Sequence, residues 1–229
     1  MRKQKNAISH MKDTIKNVHK EDRKMKKIII CNIPMKEHVD LSIYSSDDKS
    51  IPVSERKVRY PINSFLEKTI TSEDELKVVL LVKKDRYDHY KKNTEDYKEE
   101  LTTINSNIHA KIEYVLLETE FEETKSVYED LLEKIVDEIE IGGHVIADVT
   151  YGPKDVLVVL FTALNFAEKH LECEIDNILY GQASFVDGHV VDTKICDMIP
   201  LYCLGSVANT IRCTDPVKAK SMLKNLLSL

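Results

Sequence analysis

The stretch that decides the fold is GGHVIADVTYGPKDVLVVLFTALNFA, residues 142–167. It opens with two glycines, runs through a short apolar segment to Asp148, turns through Thr150, Gly152 and Pro153, and then becomes apolar nearly all round. The short segment has the length of a buried strand, and the longer one has the length of a helix packed on a sheet. Pro153 suits the first position of that helix, where a backbone N–H is not needed. The stretch therefore predicts a strand, a tight turn and a buried helix.

The same alternation of strand and helix continues on both sides of this stretch. Strands are predicted at 28–31, 76–84, 110–118, 144–149, 174–180 and 189–196, and helices at 61–70, 85–107, 121–141, 153–171, 198–212 and 216–228. Residues 35–60 read as a long irregular connection. Because parallel neighbours need crossover connections, we predict an α/β fold: a Rossmann-like (flavodoxin-like), mostly parallel sheet with helices on both faces and a short C-terminal helical extension.

Composition limits the class of protein. The 229 residues are 42% hydrophobic and 31% charged with only 6 Gly and 6 Pro, which excludes collagen-like, low-complexity and wholly disordered chains. No apolar run approaches the ~18–20 residues of a membrane span, and the N-terminus lacks the apolar segment of a signal peptide. We therefore expect a cytoplasmic protein without a membrane partner.

Charge divides the chain unevenly. Residues 1–27 hold ten Lys/Arg and three Asp/Glu, a charge of +7, and the rest carries −13. We expect a basic N-terminal extension over 1–24, a Rossmann domain over 25–197 and C-terminal helices over 198–229. The extension could contact nucleic acid, but its composition favours a solvated leader.

Several common chemistries have no motif in this sequence. GxGxxG, GxxxxGK[ST], GxSxG and HExxH are all missing, which argues against ordinary NAD or ATP use and against the usual hydrolase templates. The five cysteines form no CxxC pair and no His partners them at metal-ligand spacing, so we expect buried reduced thiols, no metal and no cofactor.

Ligands of such sheets bind beyond the carboxyl ends of the strands, which selects the loops 32–36, 150–154 and 181–184. In the second loop Thr150 supplies a hydroxyl, Gly152 lets backbone approach a ligand, and Lys154 stands at a helix N-terminus, where anions are favoured. This arrangement predicts a phosphate or ribose site. The same residue types also serve as capping chemistry, and on the residues alone that structural interpretation is the favoured one.

Three segments together resemble the CRISPR-associated Rossmann-fold (CARF) family: IIIC with its short loop, HVIADVTYGPKDVLVVLFTALNFA, and CEIDNILYGQASF. Residues 148–152 resemble the family's Asp-x-Thr-x-Gly turn, and Tyr180 and Gly181 resemble its later Tyr-Gly pair. The resemblance covers roughly residues 25–195. Relatives often have His and Arg in the turn where this chain has Tyr151 and Lys154.

The resemblance implies a sensor of cyclic oligoadenylate, the RNA second messenger of type III CRISPR antiviral defence. Such domains form homodimers that bind one ring, here a tetra- or hexa-adenylate, across the two-fold axis. The implied ligand-binding residues are Asn32, Ile33, Pro34, Asp148, Thr150, Tyr151, Gly152, Pro153, Lys154, Gly181 and Gln182.

Two alternatives to a pure sensor stay open. One is a stand-alone, metal-independent ring nuclease in which Thr150 and Lys154 are catalytic and align the ribose 2′-hydroxyl with its own phosphate. The other is a flavodoxin-like regulatory nucleotide-binding module unrelated to CRISPR. No Arg–His spacing typical of the HEPN ribonucleases often joined to CARF domains occurs in the sequence, so a sensor would act through an effector domain or a partner protein.

Overall fold

The computed structural model describes residues 26–187 and 189–228, so the expected basic extension over 1–24 lies outside the described residues. The strands are β1 (Lys26–Asn32), β2 (Glu75–Lys83), β3 (Lys111–Thr119), β4 (His144–Asp148), β5 (Glu174–Val186) and β6 (His189–Asp197). The helices are α1 (Pro61–Thr69), α2 (His89–Asn105), α3 (Lys125–Glu138), α4 (Lys154–His170), α5 (Ile199–Thr210) and α6 (Pro216–Leu226). None of the described helices is long and apolar enough to cross a membrane.

The strands form one sheet in the order β3-β2-β1-β4-β5-β6. The first five are parallel and β6 is antiparallel to β5, which confirms the predicted α/β fold with a mostly parallel sheet. Strand order reverses at β1, whose neighbours are β2 and β4. The connections leaving β1 and β4 therefore diverge, and a crevice opens at their carboxyl ends.

Helices cover both faces of the sheet, which explains the unbroken apolar run of β1. Ile29 and Cys31 pack into a core with α1 and α2, whereas Ile28 and Ile30 pack into a second core with α3 and α4. All four are at most 2% exposed. Successive side chains of a strand point to opposite faces, so a strand covered on both sides needs apolar residues at every position.

Two carboxylates from other elements hold the N-terminus of α1. Glu100 of α2 accepts hydrogen bonds from the backbone N–H groups of Arg59 (2.7 Å) and Tyr60 (3.3 Å). Asp148, at the end of β4, accepts from the N–H of Ile62. Burial raises the pKa of Glu100, and these N–H donors act against that rise. Of the three donors only Ile62 lies within α1, so Asp148 accepts from a free N–H of the helix, and Glu100 fixes the two residues that lead into it.

Strands β5 and β6 form a hairpin that extends beyond the carboxyl end of the neighbouring strand β4. Residues 174–179 of β5 pair with β4, and Leu179 is also the first residue paired with β6; within the described residues, 180–186 pair with β6 alone. At ~3.3 Å per residue, this hairpin arm extends about 20 Å. Ser45 runs along its outer side, donating its N–H to the Thr193 carbonyl (3.0 Å) and accepting from the N–H of Ile195 (2.8 Å).

The expectation that residues 181–184 form a strand-end loop was therefore wrong. Their small and polar side chains lie in an antiparallel hairpin that is largely solvent-exposed, so no apolar pattern marks the strand.

Some helix boundaries also differ from the prediction. Helix α3 starts at Lys125, after the N-cap Thr124, and leaves Phe121 outside the helix and 62% exposed. It ends at Glu138 rather than near Gly142. Pro153 is the N-cap of α4 rather than its first helical residue, because its ψ of 152° is extended.

The two closing helices are confirmed but bury little. In α5 only Tyr202 is buried among the described residues, and α6 buries none. Cys31 and Cys173 are buried as expected, whereas Cys203 is exposed on α5, contrary to the expectation of buried thiols, because that helix packs on the body mainly through Tyr202.

Candidate functional site

The turn after β4 is shaped by Asp148. The N–H of Thr150 donates to Oδ1 of Asp148 (2.8 Å), and the hydroxyl oxygen of Thr150 accepts from the N–H of Gly181 (2.7 Å). Asp148 is 3% exposed. Burial raises its pKa to about 6, and the hydrogen bonds from Thr150 and Ile62 oppose that rise. The carboxyl group thus fixes the turn and the start of α1 together.

Gly152 brings the loops after β1 and β4 into contact. Its φ of +89° lies in the left-handed region, and a Cβ there would lie 2.9 Å from Cβ of Asn32. Asn32 is 3% exposed and donates to the Asp148 carbonyl at 3.4 Å. Its Oδ1 accepts no hydrogen bond from any described residue. Only glycine allows this approach at the crevice where strand order reverses.

The start of α4 has unpaired backbone donors. Pro153 provides no side-chain cap, and Asp155 accepts from its own N–H and that of Val156. Within the described part of the chain, the N–H groups of Tyr151, Gly152 and Lys154 have no hydrogen-bond partner. Such donors, with the positive end of the helix dipole, favour an anion.

Two exposed lysines border this turn. Lys154 makes no ion pair within residues 26–187 and 189–228. Lys36 is also exposed, and its Nζ lies 5.5 Å from the ring centroid of Tyr151. Sequence reasoning selected the 32–36 loop but missed Lys36, because its approach to Tyr151 depends on a contact between loops 115 residues apart in sequence.

The Tyr151 side chain points into the protein. Its hydroxyl donates to the carbonyl of Arg59 (2.9 Å), and its ring packs edge-on against Tyr60. Burial raises the pKa of Tyr151 far above its usual range, and raises the pKa of the adjacent Tyr44 to about 12. Tyr151 can therefore offer a ligand its backbone N–H, while its neutral side chain supports the turn from within.

Four of the implied ligand-binding residues are buried: Asn32 and Asp148, described above, and Ile33 and Pro34. Ile33 is 1% exposed in the core, and Pro34 is buried with its carbonyl accepting from Nδ2 of Asn93 (2.8 Å). A Cβ on Gly181 would collide with Pro61 of α1. Because Gly181 also donates its N–H to Thr150, its absent side chain is explained by packing.

The remaining implied residues form an open surface. Thr150, Gly152 and Pro153 are partly exposed, and Gln182 is exposed on the hairpin arm, where Sγ of Cys196 donates to its Oε1 (3.8 Å). Two grooves of about 410 Å³ lie elsewhere, one against β3 and one between α3 and α4. Neither includes a residue of this surface.

Among the described residues, one cluster has metal-ligand chemistry, and it lies at the amino ends of the strands, opposite the turn after β4. It consists of His144, Glu174 and Asp176, at the amino ends of β4 and β5. Sequence spacing did not reveal it, because strand pairing rather than proximity in the chain brings His144 to the other two.

A scan of the sequence against protein-family models gives no match, and a search of curated proteins finds no significant match.

Proposed function

We propose that this chain is a CARF-type sensor that binds cyclic oligoadenylate across the axis of a homodimer. The observation that carries the proposal is the turn after β4, where three unpaired N–H groups lie beside the exposed cations Lys154 and Lys36. This donor set suits phosphate oxygens, and it lies at the crevice where ligands of such sheets bind.

The openness of the surface supports a dimer. One copy presents this surface at the open carboxyl ends of its strands. Such a surface can enclose a ring only when a second copy covers it from the other side. A two-fold axis beside Gly152 would give a ring the same donors from both copies. The closing helices offer additional apolar surface for pairing, with Leu201, Leu204, Val217, Leu226 and Leu227 exposed.

Binding is tested by thermal-shift titration and calorimetry with cyclic tetra-adenylate, cyclic hexa-adenylate and linear oligoadenylate. We expect one ring to raise the melting temperature, because ligand bound only by the native state stabilises it, and linear RNA to have less effect. Sedimentation should give about twice 26.4 kDa. A concentration-independent monomer, or no response to either ring, would contradict the proposal and favour the unrelated regulatory module.

The two lysines provide matched variants. Lys154→Ala and Lys36→Ala should each weaken ring binding by about fivefold to 150-fold, as expected for losing one charge-assisted phosphate contact worth about 1–3 kcal/mol. Lys169→Ala, at the other end of α4 and equally exposed, is the control and should bind as the wild type does. Equal affinity in all three variants would remove the anion site from the proposal.

The ring nuclease remains a second candidate because of one contact. The Thr150 hydroxyl accepts from Gly181 and also hydrogen-bonds the Asp148 carboxyl, so a phosphate oxygen would replace Asp148 as the acceptor of its proton. Cleavage by this route needs no metal, so it should proceed in EDTA and give 2′,3′-cyclic phosphate ends. Thr150→Ala should slow single-turnover cleavage more than it weakens binding. Intact ring after incubation with excess protein would favour the pure sensor.

A further inference from the structure

A second cluster of polar side chains lies at the amino-terminal edge of the sheet, away from the turn after β4. It is formed by His144, the first residue of β4, and by Glu174 and Asp176 at the start of β5. His144 lies four residues before Asp148, so the cluster is about 13 Å along β4 from the residue that shapes the proposed ligand turn. It belongs to neither the proposed site nor the packing cores.

Strand pairing brings the three side chains together. His144 lies directly opposite Glu174, and the β4–β5 register shifts so that Val145 faces Ile175 while Ile146 faces Asn177. Asp176 is the extra residue of this bulge and has no opposite number on β4. A bulge bends the strand locally and re-aims a side chain, here towards the imidazole.

The distances suit a single ion. Nδ1 of His144 lies 3.1 and 3.2 Å from the two oxygens of Asp176 and 3.8 Å from Oε2 of Glu174. All three ligand atoms fall within 4.8 Å of one another. Bonds of ~2.0–2.2 Å in tetrahedral geometry place ligand atoms about 3.3 Å apart. Rotation of Glu174, whose side chain is 77% exposed, is the adjustment that closes the set.

The charges around the cluster also favour a cation. Two carboxylates converge here, yet among the described residues no lysine or arginine pairs with either of them. The nearest lysine on the adjacent strand, Lys27, lies opposite His144 but is held by Asp74 at 2.9 Å. Apart from the imidazole, the described chain supplies no partner for this negative charge.

From these observations we infer that His144, Glu174 and Asp176 bind a divalent transition-metal ion, with zinc the best candidate. One imidazole nitrogen and two carboxylate oxygens are ligands that zinc uses, whereas Mg²⁺ and Ca²⁺ prefer oxygen alone. The cluster is partly exposed, so water completes the coordination. The ion links the amino ends of β4 and β5, the strands that carry Thr150 and Gly181 near their other ends. This inference does not depend on the proposed nucleotide site.

Zinc titration of the full chain tests the inference. Calorimetry should show a binding event that His144→Ala and Asp176→Asn weaken at least about tenfold, as expected for the loss of a ligand. His170→Ala, which removes an exposed histidine at the end of α4, should leave it unchanged. Zinc should also raise the melting temperature of the wild type and of His170→Ala, but not that of His144→Ala.

Two further measurements guard the interpretation. Circular dichroism, together with the melting temperature in EDTA, establishes that the variants fold; if His144→Ala does not, His144→Gln takes its place. Magnesium should bind weakly and equally in wild type and His144→Ala. The inference is overturned if the wild type binds no zinc, or if the His144 variant binds it with wild-type stoichiometry and affinity; in that case the contacts are an ordinary His–Asp hydrogen bond.

Discussion

Replacing Asp148 by asparagine should change how stability depends on pH. Burial raises the pKa of Asp148 from its usual 3.8 to about 6 in the folded protein. The native state therefore holds this proton more tightly than the unfolded state does. Its contribution to stability is fully present below pH ~4 and is lost as the pH rises through ~6. A difference of about two pKa units corresponds to about 3 kcal/mol.

The amide side chain of the Asp148→Asn variant keeps an acceptor oxygen for the Thr150 N–H but cannot titrate. Urea unfolding of both proteins between pH 4 and pH 8 gives the free energy of unfolding of each. The wild-type value minus the Asp148→Asn value should fall by about 2.4 kcal/mol across that range, because about 0.6 kcal/mol of the total is already lost at pH 4. The subtraction cancels other titrating groups, including Glu100, whose pKa burial also raises.

A flat difference between pH 4 and pH 8 would refute the reasoning, because it would mean that Asp148 is solvated or is paired with a cation. Asp137→Asn, on the exposed side of α3, is the matched control. Its difference from the wild type should not change with pH in this way.

Two more predictions concern the same end of the sheet. Gly152→Ala should lower the free energy of unfolding in urea by about 2–5 kcal/mol, because it combines a left-handed φ with a close contact to Asn32. Gly142→Ala is the control: its φ is +72°, nothing lies within 4 Å of the added Cβ, and it should lower that free energy by only about 1–2 kcal/mol. Equal losses in the two variants would mean that the contact with Asn32 relaxes freely. Lys83 is buried and lies 2.6 Å from Asp155; burial tends to raise the pKa of Asp155, but Lys83 holds it below the usual value. Lys83→Met should raise that pKa in an NMR titration and cost about 3 kcal/mol, and an unmoved pKa would show that helix N–H groups suffice to hold the charge.

The sequence predicted the elements whose signal is local. Strand β1 was found because a strand buried on both faces is apolar at every position. The turn at 148–152 was found because its Asp, Thr and Gly each have a local role. Residues 181–186 of the arm were missed as a strand, since that segment is largely exposed and carries no apolar alternation.

Contacts between segments that are distant in the sequence limited how well the residues of the candidate site could be predicted. Gly181 was read as a ligand contact, but Pro61, 120 residues earlier, is what excludes a side chain there. Tyr151 was placed among ligand contacts, yet its hydroxyl is bound by the backbone of Arg59. Lys36 was overlooked for the same reason. Residue type predicted the position of the candidate site, and the fold distinguishes its exposed residues from the buried ones that support them.

The hydrogen bonds between Ser45 and β6 fasten the long 35–60 connection to the outer side of the hairpin arm, where they support the arm. Lys49 lies in the exposed turn over residues 47–50, which offers trypsin an accessible cleavage site, whereas the hydrogen bonds between Ser45 and β6 lie just before it. A single cut after Lys49 would leave the six-stranded sheet intact but break the chain between Ser45 and α1. The segment around Ser45 would then be held to the rest of the 35–60 connection by backbone pairing such as that of Ser42 with Val58. Limited proteolysis can thus separate the stiffness of the arm from the stability of the domain.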